Sequence, residues 1–119
     1  MGTRASALSP DAVHFVVDDE RCSSYQALLE FIGRRWVGAV FLAGSQGARR
    51  FGEYRALVPG ISDRMLSLRL KELEQSGLVR RQVIPTTPVQ ISYQPTPLGE
   101  GLIEALQPLI DWSRQRPAQ

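Results

Sequence analysis

A chain of 119 residues, 43% apolar, is one domain by length, large enough for a single core but marginal as a monomer, so oligomerisation would help it. No stretch approaches the ~18 to 20 apolar residues of a membrane span, and the first residues lack a basic-then-apolar secretion signal, which points to a cytoplasmic protein with no membrane partner. The single Cys excludes an internal disulfide and fits a reducing compartment, and a net charge of +2 is by itself poor support for nucleic-acid binding.

Residues 1–10 (MGTRASALSP) are small and polar, and they open an N-terminal arm expected to cover 1–20 and to be partly disordered. Val13 to Val17 is a short apolar run that reads equally well as a strand or as the foot of a helix. His14, the only histidine, lies in it with no Cys or His at metal-ligand spacing, so it is read as a surface or packing residue. Ser23 or Ser24 is expected to cap a first helix with Leu28, Leu29 and Ile32 on its apolar face, and Gly33 to break or kink it. Trp36, Val37, Val40, Phe41 and Leu42 make a second helical segment, apolar on several sides and suited to the centre of a core. Gly44-Ser45-Gln46-Gly47 ends it in a turn.

Residues 47 to 84 are the most informative part of the chain. Phe51, Tyr54 and Leu57 repeat at helical spacing in a short third helix, and Val58-Pro59-Gly60-Ile61 forms a tight turn. Ser62 then stands at an N-cap position, its hydroxyl placed to accept from amide groups one turn into the next helix, and Gly77 ends that helix. Leu66, Leu70 and Leu73 fall at i, i+4 and i+7, so one stripe is buried. On the opposite side Arg64, Leu68, Lys71 and Gln75 face outward with Ser67 on the flank, a basic surface able to hydrogen-bond. Leu78 to Ile84 alternates as a strand, with Val79, Arg81 and Val83 on one side and Arg80, Gln82 and Ile84 on the other. Pro85-Thr86-Thr87-Pro88 turns the chain, and Val89 to Gln94 returns as a second strand.

Thr96 caps a last helix with Pro97 at its first position, where the missing N–H costs nothing. Leu98, Leu102, Ala105, Leu109 and Trp112 recur at spacings of 4, 3, 4 and 3, a seam suited to a partner helix, and Ile103, Leu106 and Ile110 add a second stripe. Either both stripes fold back on the chain's own core or the seam pairs with a second copy. Pro108 is expected to bend this helix near Glu104. The predicted fold class is therefore α+β, mainly α: a winged helix-turn-helix with a two-stranded β wing and, where the seam pairs with a second copy, terminal dimerisation helices. Its domain covers 21–115, with the helix-turn-helix at 51–76, the wing at 78–94 and the C-terminal helix at 97–114.

Charge follows the same division. From Gly33 to Pro95 ten basic residues face four acidic ones, a net of +6, whereas residues 1–32 carry −3 and 96–119 carry −1. The positive charge is concentrated on the reading module, as an electrostatic footprint for phosphate requires. Thirteen of the fourteen basic residues are Arg, whose planar fork grips a phosphate or a guanine in two places.

Cys22 followed fourteen positions later by Trp36 within IGRRWVGAV, then ARRFGEY, VPGISDRMLSLRLKELEQSGLVRR and TPVQISYQPTPLGEGL, together resemble the HxlR-type family of winged-helix transcription regulators, relatives of MarR-like proteins. The resemblance runs from about Cys22 to Trp112. It implies a small homodimeric DNA-binding repressor or activator, read here as a repressor, and in many members a response to oxidants or electrophiles through a cysteine near the N-terminus. Ile91-Ser92-Tyr93 and Pro95-Thr96 depart from the commoner Val-Glu-Tyr and Leu-Thr after the wing, and Arg34-Arg35 replaces the commoner Gly-Lys.

In this reading the partner is double-stranded DNA with a pseudo-palindromic operator, and the helix that begins at Ser62 lies in its major groove. Arg64 is the first candidate for a guanine contact, with Ser67 and Lys71 behind it. Leu68 either meets a thymine methyl or packs against neighbouring helices. Arg49 and Arg50, before the short helix, are placed for phosphate, as are Arg80, Arg81, Thr86 and Thr87 of the wing. Strand alternation predicts that one of Arg80 and Arg81 faces inward, and Arg69, at the edge of the buried stripe, is expected to pair with Glu53 or Glu72.

Arg21 and a helix N-terminus just beyond Cys22 would both favour its thiolate, although an isolated Cys is more often an inert small hydrophobe. Cys22 is the redox-sensing candidate, and with no second Cys it could respond by a bridge to Cys22 of the partner subunit, by a mixed disulfide or by alkylation. Two other readings stay open: a small aromatic or aldehyde effector held between Trp36, Phe41, Trp112 and the dimer helices with Cys22 passive, and a winged helix that binds protein. No catalytic residue, metal or cofactor is expected, since no phosphate-cradling glycine loop and no paired nucleophile and base stand out.

Overall fold

The computed structural model describes residues 20–116, with side chains from residue 23 onward. The arm over 1–19, His14, the Val13–Val17 run and the Cys22 side chain lie outside the described residues. The chain divides into two compact units, residues 1–32 and 33–119. In the first, helix α1 spans Glu20–Ile32. Cys22, Ser23 and Ser24 therefore lie within the helix, and neither serine stands at a cap. Tyr25, Leu28 and Leu29 are exposed on it.

The second unit has the order α2 (Val37–Ser45), α3 (Phe51–Leu57), α4 (Asp63–Gln75), β1 (Val79–Ile84), β2 (Gln90–Pro95) and α5 (Pro97–Gln115). Helix α2 is the central one, with Val37, Val40, Phe41 and Ala43 buried against α3, α4, β2 and α5. Trp36 was expected inside it, but stands before it in the left-handed region at φ 76°. Its carbonyl still accepts from Val40 N, and its ring lies beside Gly60, where an added Cβ would be 3.6 Å from the indole. The Arg35 guanidinium covers the same ring at 5.1 Å. These contacts offset a left-handed conformation that costs a bulky residue on the order of 1 to 3 kcal/mol.

The core is completed by Tyr54 of α3 and by Leu66, Leu70 and Leu73 of α4, all at 0% exposure. Helix α4 ends where Gly77 takes φ 82°: Gly77 N donates to Glu74 O and Leu78 N to Leu73 O, so two carbonyls of the last turn find backbone donors. Leu78 and Val79 are buried, and from there β1 and β2 run out as an antiparallel ribbon in the register Val79↔Pro95 to Ile84↔Gln90. Strand β1 starts one residue later than expected and ends at the expected Ile84, and β2 sits one residue further along. Thr86 Oγ1 donates to Pro88 O across the turn, and the Thr87–Pro88 peptide is cis.

Helix α5 starts as its sequence predicts, with Thr96 Oγ1 accepting from Gly99 N and Pro97 in the first turn. The same hydroxyl donates to Gly77 O at 2.6 Å, and Thr96 N donates to Leu78 O. Gly99 lies so close to this junction that a Cβ on it would sit 2.1 Å from Leu78 O. The root of α5 is thereby clamped to the end of α4. The helix then continues through Pro108 to Gln115. Its seam does not fold back on the core: Leu98, Leu109 and Trp112 remain 65%, 55% and 55% exposed.

Candidate nucleic-acid interface

Helix α4 holds its outward face rigidly because both its start and its inner stripe are fixed. Met65 N donates to Ser62 Oγ at 3.1 Å, and the three leucines beneath are fully buried. Arg64, Ser67, Leu68 and Lys71 all stand on the exposed side, as their spacing predicts, with Leu68 44% exposed and not absorbed into packing. Asp63 at the head of the helix meets Arg55 of α3 at 2.7 Å, an exposed ion pair that the sequence reading did not single out.

Arg69 resolves to Glu72, its Nη1 donating to Oε1 at 2.6 Å while its Nε donates to Arg35 O. Arg34 approaches the other Glu72 oxygen at 3.6 Å. One carboxylate thus ties the 34–36 turn to the recognition helix. These arginines serve the frame.

Arg49 also serves the frame, in part. Its Nη1 donates to the carbonyls of Gly44 and Ala48 at 2.9 and 2.7 Å, capping the end of α2, so it is not a simple surface cation held ready for phosphate. Arg50 is exposed, as expected. The amides of Arg49 and Arg50 both donate to Glu53 Oε1, at 2.8 and 3.1 Å, and these bonds hold the Glu53 carboxyl below its usual range. A Glu three residues after the helix start position was the sequence signal for this; it was read only as a charge.

The wing is locked to the helix-turn-helix through the backbone of one residue. Tyr93 N donates to Arg49 O at 2.7 Å, and Tyr93 O accepts from the Tyr54 hydroxyl at 2.8 Å. The two rings meet edge to face at 6.3 Å. Burial pushes the Tyr54 phenol up to about 12. Its helical spacing with Phe51 and Leu57 marks Tyr54 only as an apolar position. The partner of its hydroxyl lies 39 residues away, beyond the reach of any periodicity.

Arg80 and Arg81 are both exposed, so neither faces inward as alternation had predicted. The reason is that the second strand, β2, carries the ribbon's contacts with α2 and α3, while β1 beyond the buried Val79 is left exposed at 80–83. They nevertheless differ: Arg81, paired with Tyr93 across the ladder, lines a cleft of about 370 Å³ with Ser67, Lys71 and Glu74 of α4, while Arg80 pairs with Gln94 on the opposite face. Thr86 and Thr87 are exposed in the turn beyond. A second cleft of about 270 Å³ is lined by Arg49, Glu100, Ile103 and Glu104 among others. Neither is lined by Trp36, Phe41 or Trp112, and Phe41 is buried at 2% exposure, so the three aromatics proposed as an effector seat are not gathered in either cleft.

The model of the HxlR-like helix-turn-helix family matches residues 31–119. The chain belongs to that family. It is 38% identical over 96 residues to the uncharacterised HTH-type transcriptional regulator YvaP of Bacillus subtilis, covering 81% of this chain and 89% of the relative. It is likewise 38% identical over 94 residues to the HTH-type transcriptional regulator YodB of the same organism, covering 79% and 84%. Among solved structures, diamide-treated YodB from B. subtilis superposes with a TM-score of 0.71 at 36% identity, covering 85% of this chain and 100% of that one. The redox regulator HypR in its oxidised form superposes with a TM-score of 0.73 at 32% identity, covering 81% and 99%. Membership and fold together make this HxlR-family protein a winged helix-turn-helix transcriptional regulator. Among its described residues no helix is long and apolar enough to cross a membrane.

Proposed function

We propose that the protein is a homodimeric, sequence-specific repressor that reads a pseudo-palindromic operator with α4, and that chemistry at Cys22 controls its grip. The observation that carries the first part is the contrast between the two sides of α4: three leucines at 0% exposure beneath, and Arg64, Ser67, Leu68 and Lys71 exposed above. A helix anchored so firmly pays little entropy when its outward side chains dock. Arg64, nearest the helix start, is assigned the guanine contact; a bidentate contact of this kind discriminates by roughly 1 to 3 kcal/mol. Dimerisation through the seam of Leu98, Leu102, Ala105, Leu109 and Trp112 would set two such helices about one DNA turn apart, ~34 to 36 Å. Arg50, Thr86 and Thr87 are assigned to the DNA backbone.

Selection of duplexes from a randomised pool tests this. The expected result is enrichment of an inverted repeat by the wild type, with Arg64→Ala relaxing one position in each half-site; enrichment of no repeat would refute the assignment.

The sensing part rests on likeness to YodB, which has been solved in reduced, diamide-treated and quinone-bound forms. Attack of the Cys22 sulfur on a quinone ring carbon forms a C–S bond, and the thiol proton and the ring hydrogen end on the two oxygens of the resulting hydroquinone. No second protein cysteine is needed for that step. Intact mass and operator affinity are measured after quinone treatment, with Cys22→Ser as the inert control. Unchanged affinity in fully modified protein would end the sensing assignment.

A further inference from the structure

The two wing arginines are adjacent in sequence but stand on opposite faces of a two-residue alternation, and only one of them looks toward α4. Arg81 shares its cleft with Lys71 and Ser67 of the recognition helix and with Tyr93, whose backbone is fixed at both ends by Arg49 and Tyr54. Neither Lys71 nor Arg81 forms an ion pair among the described residues. With Glu74 as the single acid in the lining, the cleft carries a net charge of +1. Its walls come from α4 and from both strands of the wing, and the Tyr54–Tyr93 bond ties the wing to α3, against which α4 packs. Two cations outside any ion pair line one space from its two sides, together with Ser67 and Tyr93.

We propose that this cleft seats one DNA backbone phosphate, bridged by Lys71 and Arg81, with Ser67 and Tyr93 as supporting donors, and that Arg81 and not Arg80 is the wing's principal DNA contact. The inference rests on the DNA-reading assignment of α4 and extends it to a defined subsite. A monoanion suits a cleft of net charge +1, and the guanidinium fork grips phosphate oxygens in two places. Arg80, on the far face with Gln94, points away from the groove that α4 occupies. The seat carries no sequence information; it fixes the register of the helix on the duplex.

A phosphate contact is independent of sequence, so the test uses a mixed-sequence duplex and the full-length protein at two salt concentrations. Removing Arg81 (Arg81→Ala) is expected to weaken binding about tenfold and to lower the salt slope by about one unit, while Arg80→Ala changes affinity less than threefold. Because both cations hold the same phosphate, Lys71→Ala/Arg81→Ala should be weaker than the better single variant by far less than the product of the two single losses. Tyr93→Phe, which keeps the ring and the backbone anchors, should lose a fewfold in affinity with an unchanged melting curve. Equal losses for Arg80→Ala and Arg81→Ala, or losses that multiply in the double variant, would overturn the seat and leave the DNA-reading assignment standing. A wild type that binds no duplex at low salt would remove both. Inorganic phosphate at matched ionic strength separates the sources of the anion. A melting shift that Arg81→Ala abolishes without changing DNA affinity would mark a small-anion site and overturn the backbone seat.

Discussion

Helices α4 and α5 carry the same kind of sequence signal and meet different fates. Each has leucines at spacings of three and four, yet the α4 stripe is fully buried while Leu98, Leu109 and Trp112 of α5 stay more than half exposed. The difference lies in the number of neighbours the fold supplies. Helix α4 packs against α2, α3 and β1, whereas α5 meets chiefly α2 and β2 and has Gly99 as its one fully buried residue. An amphipathic period therefore shows that a face must be covered, and only the surrounding elements show by what. The stripe of α4 is finished within its unit; that of α5 is not, and it is the surface the proposed dimer would use.

The sharpest way to break the comparison is to empty the finished stripe. Leu70→Ala should cost roughly 2 to 5 kcal/mol of folding stability, read by urea denaturation, because a fully enclosed site cannot collapse around the missing atoms. The corresponding change on the unfinished stripe, Trp112→Ala, should leave the subunit's fold intact at high concentration. It should instead raise the dimer dissociation constant about thirtyfold, a loss of about 2 kcal/mol, measured by sedimentation equilibrium. A Trp112→Ala protein as strongly dimeric as the wild type would show that the seam faces something else.

Between these lies the clamp that joins the two helices. Gly99→Ala forces a methyl group into Leu78 O, at a cost of about 1 to 3 kcal/mol, and swings the root of α5 away from the end of α4. Expected is a retained dimer with a changed preference for half-site spacing, seen in a gel-shift series over operators of varied spacer length.

The smallest effect concerns the lock between wing and helix-turn-helix. Tyr54→Phe should cost about 1 kcal/mol, since Tyr93 O loses its donor, and it should leave α5 association unchanged. The same residue gives a pH signature. The phenol is raised in the folded state from 10 to about 12, so the unfolded chain ionises first on the alkaline side. The stability that this tyrosine contributes is complete below pH 10 and declines as pH rises toward 12. Thermal melts across that window should fall more steeply for the wild type than for Tyr54→Phe. Glu53 acts with the opposite sign: its depressed carboxyl contributes stability at neutral pH that fades as pH falls through the acid range.

Much of the fold was legible because it rests on local signals. The Ser62 cap, the Gly77 stop, the Thr96-Pro97 start and the Leu66, Leu70 and Leu73 stripe each depend on a few neighbouring residues, and each stands where the sequence placed it. The errors share a cause as well. Trp36 left its helix to meet Gly60, Arg49 turned to cap α2, and neither wing arginine went inward. Each of these depends on which groups lie across a gap in space, which periodicity does not encode.

By itself the sequence determined the order and kind of the elements from α2 to α5, the faces that had to be buried, and the concentration of positive charge on the reading module. Those properties follow from spacing, chain stereochemistry and composition, all of them local. Only the tertiary structure decided which arginines are spent on carbonyls and carboxylates and which remain for a partner, and that Arg81 rather than Arg80 looks toward the recognition helix. Hydrogen bonds and ion pairs are short-ranged in space and indifferent to distance along the chain, so those choices were settled when the wing came to rest on Tyr54.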